Sequence, residues 1–308
     1  MNKTKIEWTK NPDGTPGYTW NPITGCLNGC PYCYARKLAN GRLKSRYLAN
    51  IDGLYMPATM KSELVKGAND PFYPRFWEER LIEPLTKKSR WGNDRLVVHR
   101  QSPKGIFVCD MSDLFGNGIP ENWTKLVLGV IKDSPKHRFY LLTKQPQELI
   151  KWSPFPENCW VGVTATDTSM AWIASKQLSQ IEAGVKFLSI EPLLSWDTST
   201  PYTTENIVAG LNGSLDWLII GACTGTNKEM TKLARNSPNS SLLTEMPYGK
   251  IWTAQPRIEW VREIVEAADK AGIPVFLKDN LSPLIKWPDS GSWAFENLSN
   301  ILRQEMPK

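Results

Sequence analysis

The stretch TWNPITGCLNGCPYCYARKL (19–38) joins a short aromatic and β-branched run to a helical pattern through a loop with three cysteines. Cys26, Cys30 and Cys33 follow the spacing C-x3-C-x2-C. Asn28-Gly29 provides a tight turn inside the loop, and the proline after it restrains the exit, so three sulfur atoms can converge on one small object. A strand that leads through a loop into a helix also forms one unit of a βα repeat.

Short, nearly continuous apolar runs recur after this stretch. Such runs are typical of strands buried on both faces, as in a parallel sheet covered by helices. Helical patterns lie between them, one following Pro120 and one ending before Gly272. The runs are GIFVC (105–109), RFYLLT (138–143), CWVGVT (159–164), VKFLSI (185–190), DWLIIG (216–221) and PVFLK (274–278), with a first strand expected in YTWNPIT (18–24).

This alternation predicts an α/β protein built as a partial parallel βα barrel of six or seven strands. A doubly wound open sheet is the alternative. We expect one domain over residues 1–308, with long departures from the repeat where substrate-binding or lid segments often lie. Its expected parts are the barrel (about 16–280), an insertion after the first helix (about 40–104), a loop or lid (225–250) and a C-terminal tail (281–308).

Composition indicates a globular protein, because 41% of its 308 residues are apolar. No N-terminal run resembles a signal peptide, and the longest apolar stretches fall far below the roughly 20 residues of a membrane span. We therefore expect a soluble, cytoplasmic chain with no membrane partner. In a reducing cytosol, clustered cysteines hold metal or perform redox chemistry more often than they form disulfides.

Three cysteines are too few for a structural zinc site, which normally takes four ligands. The chain has two histidines, His99 and His137, and neither has zinc-ligand spacing from another candidate ligand. A [4Fe–4S] cluster held by three thiolates keeps one iron open for a substrate or cofactor. The cysteine count therefore favours an iron–sulfur cluster over zinc.

The net charge of +6 and the 14 tryptophans favour an anionic partner such as nucleic acid. The alternative is a mildly basic, tryptophan-rich protein that does not bind nucleic acid. Cations and aromatic rings alternate in YPRFWEERL (73–81) and KKSRWGNDR (87–95). Cations contact phosphates and rings stack on bases. The predicted substrate contacts in these segments are Arg75, Arg80, Arg90 and Arg95.

The cysteine spacing, with Tyr32 just before the last cysteine and a predicted βα pattern behind it, resembles the radical S-adenosylmethionine (SAM) superfamily. The resemblance covers roughly residues 5–280 and is closest to a phage-associated branch of unknown function; spore photoproduct lyase is more distantly similar. The segments that carry it are TWNPITGC, CPYCYA, IFVCDMSDLF, LLTKQP, FLSIEPLL and DWLIIGACTG.

The resemblance implies a [4Fe–4S] cluster on Cys26, Cys30 and Cys33, with SAM bound at the open iron. An electron donor such as flavodoxin or ferredoxin would reduce the cluster. SAM would then be cleaved to methionine and a 5′-deoxyadenosyl radical that abstracts hydrogen from a substrate, for which we favour a nucleic acid or nucleotide. The alternative is a non-catalytic iron–sulfur or zinc protein that binds nucleic acid.

Polar residues at the carboxyl ends of barrel strands point into the site. By the resemblance, Tyr32 belongs to the cofactor-binding set and Ser112 and Asp113 receive the amino group of SAM. The alternative for Ser112 and Asp113 is the N-cap of a following helix. Lys144 is the expected partner of the SAM carboxylate, and a solvated lysine is the alternative.

Later strand ends complete the expected site. Thr164 and Glu191 are expected to bind the methionine moiety and ribose hydroxyls, and Gly221 to let the backbone approach the adenine. Cys109 and Cys223 are placed to return a hydrogen atom to the product radical, as cysteines do in some radical SAM enzymes. Their alternative is the ordinary one for small buried cysteines, which is packing in the core.

Overall fold

The computed structural model describes residues 1–54, 67–87, 95–96, 102–197, 203–210, 213–236, 243–285 and 302–307, with the backbone alone at 87, 95, 96, 236 and 285. The strands are β1 (Asn2–Lys3), β2 (Tyr18–Trp20), β3 (Ile23–Thr24), β4 (Arg75–Phe76), β5 (Thr86–Lys87), β6 (Arg95–Leu96), β7 (Gly105–Val108), β8 (Arg138–Thr143), β9 (Cys159–Thr164), β10 (Val185–Ile190), β11 (Trp217–Ile220), β12 (Cys223–Gly225), β13 (Thr244–Tyr248), β14 (Ile251–Gln255) and β15 (Val275–Leu277).

The helices alternate with the strands of the main sheet for much of the chain. They are α1 (Tyr34–Asn40), α2 (Lys44–Ala49), α3 (Glu78–Leu81), α4 (Glu121–Lys132), α5 (Thr168–Leu178), α6 (Thr204–Ala209), α7 (Asn227–Asn236), α8 (Ile258–Ala271) and α9 (Ser282–Ile285). Short 3-10 helices cover Glu83–Leu85, Pro146–Trp152 and Asp279–Leu281.

A mostly parallel sheet of eight strands organises this mixed α/β fold, in the order β1-β2-β7-β8-β9-β10-β11-β15. The edge strand β1 is antiparallel to β2, whereas β2–β7, β7–β8, β10–β11 and β11–β15 are parallel pairs. A doubly wound sheet needs a reversal of strand order. The order of the described strands has none, so they do not adopt the doubly wound alternative.

The predicted strands agree with the structure where apolar runs are longest. RFYLLT, CWVGVT and VKFLSI coincide with β8, β9 and β10, and the other runs lose one residue at one or both ends. The first predicted strand (18–24) is instead divided in two. β2 joins the main sheet, while β3 pairs with β4 in a separate two-stranded sheet. Pro22 lies at the break, where a residue without an N–H cannot continue a central ladder.

Strand β9 and helix α8 show how buried faces and glycines set the position and ends of the elements. Every residue of β9 is buried, and a Cβ on Gly162 would lie 2.3 Å from the ring of Phe187, so the close approach requires glycine. Helix α8 ends at Gly272, whose φ of 69° is left-handed and whose N–H donates to the Ala268 carbonyl. Its buried face is Trp260, Val261, Ile264, Val265, Ala267 and Ala268.

The chain packs as two compact units. The first is Met1–Val161 with Glu182–Gly184, and the second is Gly162–Ile181 with Val185–Lys308. The expectation of a single domain stays a prediction. No helix in the described part of the chain is long and apolar enough to cross a membrane.

The two departures from the βα repeat contain regular structure of their own. The segment predicted as an insertion (40–104) includes α2, β4, α3 and the antiparallel pair β5–β6 within the first unit. The segment predicted as a loop or lid (225–250) contains α7 and β13. Together with β12 and β14, which flank this segment, β13 forms an antiparallel sheet of three strands in the second unit.

Candidate functional site

The cysteine loop, Cys26–Cys33, begins at a close crossing of two backbone segments. Gly25 has a φ of 83°, and a Cβ there would lie 2.3 Å from the carbonyl oxygen of Tyr73. Only glycine combines this left-handed conformation with this approach. The next residue is also held to the same segment, because the Cys26 N–H donates to the Phe72 carbonyl at 3.0 Å.

Peptide N–H groups point at two of the three sulfur atoms. The Asn28 N–H donates to Cys26 Sγ at 3.3 Å, and the Arg36 N–H donates to Cys33 Sγ at 3.3 Å. The second bond makes Cys33 the N-cap of α1. Hydrogen bonds to sulfur are one of the means by which proteins tune iron–sulfur clusters.

Burial disfavours free thiolates at Cys26 and Cys30. Burial raises the pKa of Cys26 to about 12, and the neighbouring thiols Cys30 and Cys33 add to that increase. Burial also raises the pKa of Cys30, while the Lys144 ammonium acts in the opposite direction. Positive charge from a metal would reverse this balance, because bound cations stabilise coordinated thiolates.

The loop fits an iron–sulfur cluster in ligand type and number. It offers three cysteines, with N–H donors directed at two sulfurs. Within the described residues, however, no three His, Cys, Asp or Glu side chains are already gathered into a set that could hold a metal ion. Binding would therefore have to draw the three sulfur atoms together.

The carboxylate of Asp113 anchors the cysteine loop. Its Oδ2 accepts from Asn28 Nδ2 at 2.8 Å and from the Lys144 N–H at 2.9 Å, and its Oδ1 accepts from the Phe115 N–H at 3.1 Å. Asp113 is only 5% exposed, and this burial raises its pKa despite these hydrogen bonds.

These contacts give Asp113 a structural part in the site. Three donors of the protein use its two oxygens, and a carboxylate has about four acceptor sites. Its contact with the SAM amino group stays a prediction. The N-cap alternative does not hold, because the next described helix begins only at Glu121. Ser112 also holds the loop, since its Oγ donates to the Gly25 carbonyl.

Two residues of this network, Asn28 and Gln145, are not among the predicted site residues. The sequence assigns Asn28 only to a turn, yet its side chain donates to Asp113 and its Oδ1 accepts from Gln145 Nε2 at 3.0 Å. It thereby connects the cysteine loop to the segments that follow β7 and β8. The sequence does show an amide side chain between Cys26 and Cys30, which could have marked Asn28 as a candidate. It does not show which distant residues that side chain bonds.

Lys144 lies beside the cysteine loop. Its ammonium is 5.7 Å from the centre of the Tyr32 ring, and both side chains are half-buried. Its charge also acts on Cys30. The structure brings Lys144 close to Tyr32 and Cys30 of the cysteine loop, and the SAM contacts of Lys144 and Tyr32 stay predictions.

A second polar cluster lies at the strand ends of the second unit. Glu191 follows β10 and accepts from the Lys278 ammonium, which follows β15. A Cβ on Gly221 would meet Lys278 Cδ at 3.0 Å, Glu191 Cγ at 3.2 Å and Asn280 Oδ1 at 3.4 Å. Asn280 in turn exchanges two hydrogen bonds with the backbone of Ala222. Glu191 and Gly221 are together, as their positions after neighbouring strands suggest.

The remaining strand-end residues are buried. Thr164 closes β9 and is 4% exposed. Cys109 follows β7 with 2% exposure and a left-handed φ of 59°, and Cys223 opens β12 with 4% exposure. Cys109 belongs to the first unit and Cys223 to the second. Their roles as hydrogen-atom donors, and the SAM contact of Thr164, stay predictions.

Arg75 does not support the expected phosphate contact. It is fully buried, and its guanidinium donates to the carbonyls of Gly67, Asp70 and Tyr73 at 2.8 to 2.9 Å. A cation enclosed by backbone carbonyls in this way organises its own loop and cannot reach a nucleic acid. Arg75 is therefore structural, which corrects its assignment as a substrate contact.

Arg80 is partly withdrawn from solvent as well. Its guanidinium lies 3.8 Å from the centre of the Trp77 ring and donates to the Asn21 carbonyl at 3.2 Å. Arg90 lies outside the described residues, and of Arg95 only the backbone is described. The substrate contacts predicted for these three arginines stay predictions.

Comparison with known proteins gives one family match and several distant structural ones. A family model described as "Protein of unknown function (DUF5131)" matches residues 3–236. Among curated proteins, none matches the chain. Spore photoproduct lyase complexed with dinucleoside spore photoproduct is 11% identical, with a TM-score of 0.48 over 90% of this chain and 81% of that chain. A double mutant of that lyase with bound AdoMet and the same dinucleoside is 11% identical, with a TM-score of 0.49 over 86% and 76%.

Proposed function

Because the chain belongs to the DUF5131 family, whose description assigns no activity, we propose its function from the site: a radical SAM enzyme that holds a [4Fe–4S] cluster on Cys26, Cys30 and Cys33. The observation that carries the proposal is the cysteine loop. It has three thiols, peptide N–H groups directed at two of their sulfurs, and a buried carboxylate that ties it to strand ends. Three cysteine ligands leave one iron of such a cluster for SAM.

The proposal includes a partial βα barrel. In the main sheet, β2 and the strands after it follow one another in chain order, as barrel strands do. In such a fold the site lies at the carboxyl ends of the strands. Residues after β7 and β8 hold the cysteine loop at that position in the first unit.

Once bound, the cluster would supply the electron that cleaves SAM to methionine and a 5′-deoxyadenosyl radical for hydrogen abstraction. The residues of the chain bind and orient. Asp113, through Asn28, fixes the loop, and Lys144 places a positive charge near Cys30 that favours its thiolate. The cofactor contacts predicted for Tyr32, Thr164, Glu191 and Gly221 form part of the proposal.

Anaerobic reconstitution with iron and sulfide tests the proposal. The wild-type chain should gain iron and acid-labile sulfide in equal amounts and, with SAM and dithionite, release 5′-deoxyadenosine. Cys30→Ala should lose the intact cluster and all 5′-deoxyadenosine release. The matched control is Cys159→Ala, which removes a buried thiol at the start of β9 and should keep both properties.

Two results would contradict the enzyme. A fully loaded cluster that releases no 5′-deoxyadenosine would identify a non-catalytic iron–sulfur protein. Retention of zinc in place of iron and sulfide would identify a metal-stabilised structural loop, and equal cluster loading in Cys30→Ala would remove the ligand assignment.

A further inference from the structure

A basic segment directly follows the cysteine loop. Between Asp13 and Asp52 the chain has no acidic residue, yet it has five cations. All five lie in α1, α2 and the turn between them, which we call the basic hairpin (34–49): Arg36, Lys37, Arg42, Lys44 and Arg46. The chain as a whole has a net charge of +6, so this short hairpin accounts for most of the excess.

Most of these cations are directed to solvent. Lys37, Arg42, Lys44 and Arg46 are exposed, whereas Arg36 pairs with Asp70 at 3.4 Å. In the described part of the chain, the charged groups of Arg42 and Lys44 have no hydrogen bond or ion pair. Uncompensated cations this close together attract a polyanion more strongly than they stabilise the fold.

Arg46 adds a second observation. Its guanidinium lies 5.7 Å from the centre of the Trp77 ring, and the Arg80 guanidinium lies 3.8 Å from the same centre. Burial lowers the pKa of Arg80, and the charge of Arg46 lowers it further. Two like charges on one ring repel each other, and an anion beside them would relieve that repulsion.

The hairpin is attached to the cysteine loop by packing. Its buried side chains Ala35, Ala39 and Tyr47 share a core cluster with Trp77, and Cys26 and Cys33 pack against that cluster. Trp77 Nε1 also donates to Thr24 Oγ1 at 2.8 Å, two residues before Cys26. A ligand bound to the exposed cations would therefore lie at a fixed position relative to the cysteine loop.

We propose that the basic hairpin binds the phosphodiester backbone of a nucleic acid, with Arg42, Lys44 and Arg46 as phosphate contacts. The proposal deepens the proposed function and rests on it for one point, that the bound nucleic acid is the substrate of the cysteine-loop site. It also moves the basic surface away from Arg75, whose guanidinium is enclosed.

A nucleic acid explains the hairpin better than an anionic membrane does. A helix that lies on a membrane exposes a broad apolar face, but α1 and α2 have only 7 and 6 residues, and Ala35, Ala39 and Tyr47 face the core. The exposed aromatic residue next to the cations is Tyr34, which is 51% accessible. An exposed ring beside cations suits stacking on a base.

Binding of a fluorescent duplex and a fluorescent single strand, measured by anisotropy across a salt series, tests the proposal. Each phosphate contact contributes a slope of about −0.9 for duplex DNA, and about −0.7 for single strands, to the logarithm of affinity against that of salt. The triple variant Arg42→Gln, Lys44→Gln, Arg46→Gln should thus reduce the slope by about 2 to 3 and the affinity at low salt by at least ~10-fold.

The matched control neutralises three exposed lysines elsewhere, Lys125→Gln, Lys132→Gln and Lys176→Gln. It changes net charge by the same amount and should leave the slope near that of the wild type. Arg46→Lys should retain binding, because it keeps the charge. Equal losses in the two triple variants, or no binding of either probe by the wild type, would overturn the proposal.

Cluster loading separates this proposal from the enzyme assignment, and vesicle binding separates it from a membrane surface. Cluster loading of the hairpin triple variant should equal that of the wild type, since none of its three residues belongs to the cysteine loop. Loss of binding in this variant would support the surface even if no 5′-deoxyadenosine were released. Hairpin-dependent binding to phosphatidylserine vesicles, with none to the oligonucleotides, would overturn it in favour of a membrane surface.

Discussion

Two carboxylates at strand ends are held in opposite ways. Asp113, in the first unit, is hydrogen-bonded to neutral donors, two peptide N–H groups and the Asn28 amide, and is 5% exposed. Glu191, in the second unit, accepts from the ammonium of Lys278, and these side chains are 24% and 14% exposed. Hydrogen bonds from neutral groups hold the first carboxyl group in a buried place, while the second shares an ion pair.

The two kinds of partner indicate different roles for the two acidic side chains. The hydrogen bonds of Asp113 come from Asn28 of the cysteine loop and from the segments that follow β7 and β8, so they hold the loop to those segments. The Glu191 carboxylate is instead held by the ammonium of Lys278, which lies on the flexible end of a long side chain. Asp113 thus positions the cysteine loop, and the cofactor contact of Glu191 stays a prediction.

The largest expected effect is from Asp113→Ala. It would leave three donors without their acceptor, one buried from Phe115 and two partly buried from Asn28 and Lys144. An unsatisfied buried group costs about 1–3 kcal/mol. We expect the free energy of unfolding to fall by about 3 kcal/mol or more, and iron loading to fall with it. Denaturant unfolding and iron analysis measure both, with the exposed Asp133→Ala as control. Wild-type stability in Asp113→Ala would show that the network does not hold the loop.

The same carboxylate predicts a pH dependence with a definite sign. Because burial raises the pKa of Asp113 above 3.8, the folded chain holds that proton more tightly than the unfolded chain. Its contribution to stability is complete below pH 3.8 and is lost as pH rises through the folded pKa. The difference in unfolding free energy between the wild type and Asp113→Asn should shrink or reverse in that direction. An advantage of the wild type that grows with pH would contradict it.

A double-mutant cycle on Glu191→Gln and Lys278→Met should give a smaller effect. The pair is mostly buried, so the single changes are expected to cost more than the double change, with a coupling energy of about 1–2 kcal/mol. The cycle uses denaturant unfolding of all four chains. Additive effects would show that the two side chains do not interact in solution, and would remove the basis for contrasting Glu191 with Asp113.

Gly221→Ala is expected to have the smallest effect. Its Cβ would press on Lys278 Cδ and Glu191 Cγ, which are flexible side-chain atoms that can move. We expect a loss of about 1 kcal/mol in unfolding free energy, in the range of mild overpacking. The loss should shrink in a Lys278→Met background, where the crowded side chain is changed. An undiminished loss in that background would assign the crowding to other atoms.

The core strands and the cysteine loop were predictable because both are local signals. Continuous apolar runs mark strands buried on both faces, and β8, β9 and β10 coincide with them. Composition does not predict whether a given cation is exposed, and Arg75 is an example, since it lies in a basic and aromatic segment and is buried. Three carbonyls supplied by residues 67–73 enclose it, and only the folded turn brings them together.

The sequence by itself determined a βα architecture and a set of three thiols suited to a metal cluster, because apolar periodicity and ligand spacing act over a few residues. The tertiary structure decided which polar groups meet: Asn28 with Asp113 and Gln145, and Glu191 with Lys278. These contacts join residues separated by tens of positions, and their geometry depends on the pairing of strands. The basic hairpin combines both levels, since its charges are visible in the sequence and its packing against Cys26 and Cys33 follows from the fold.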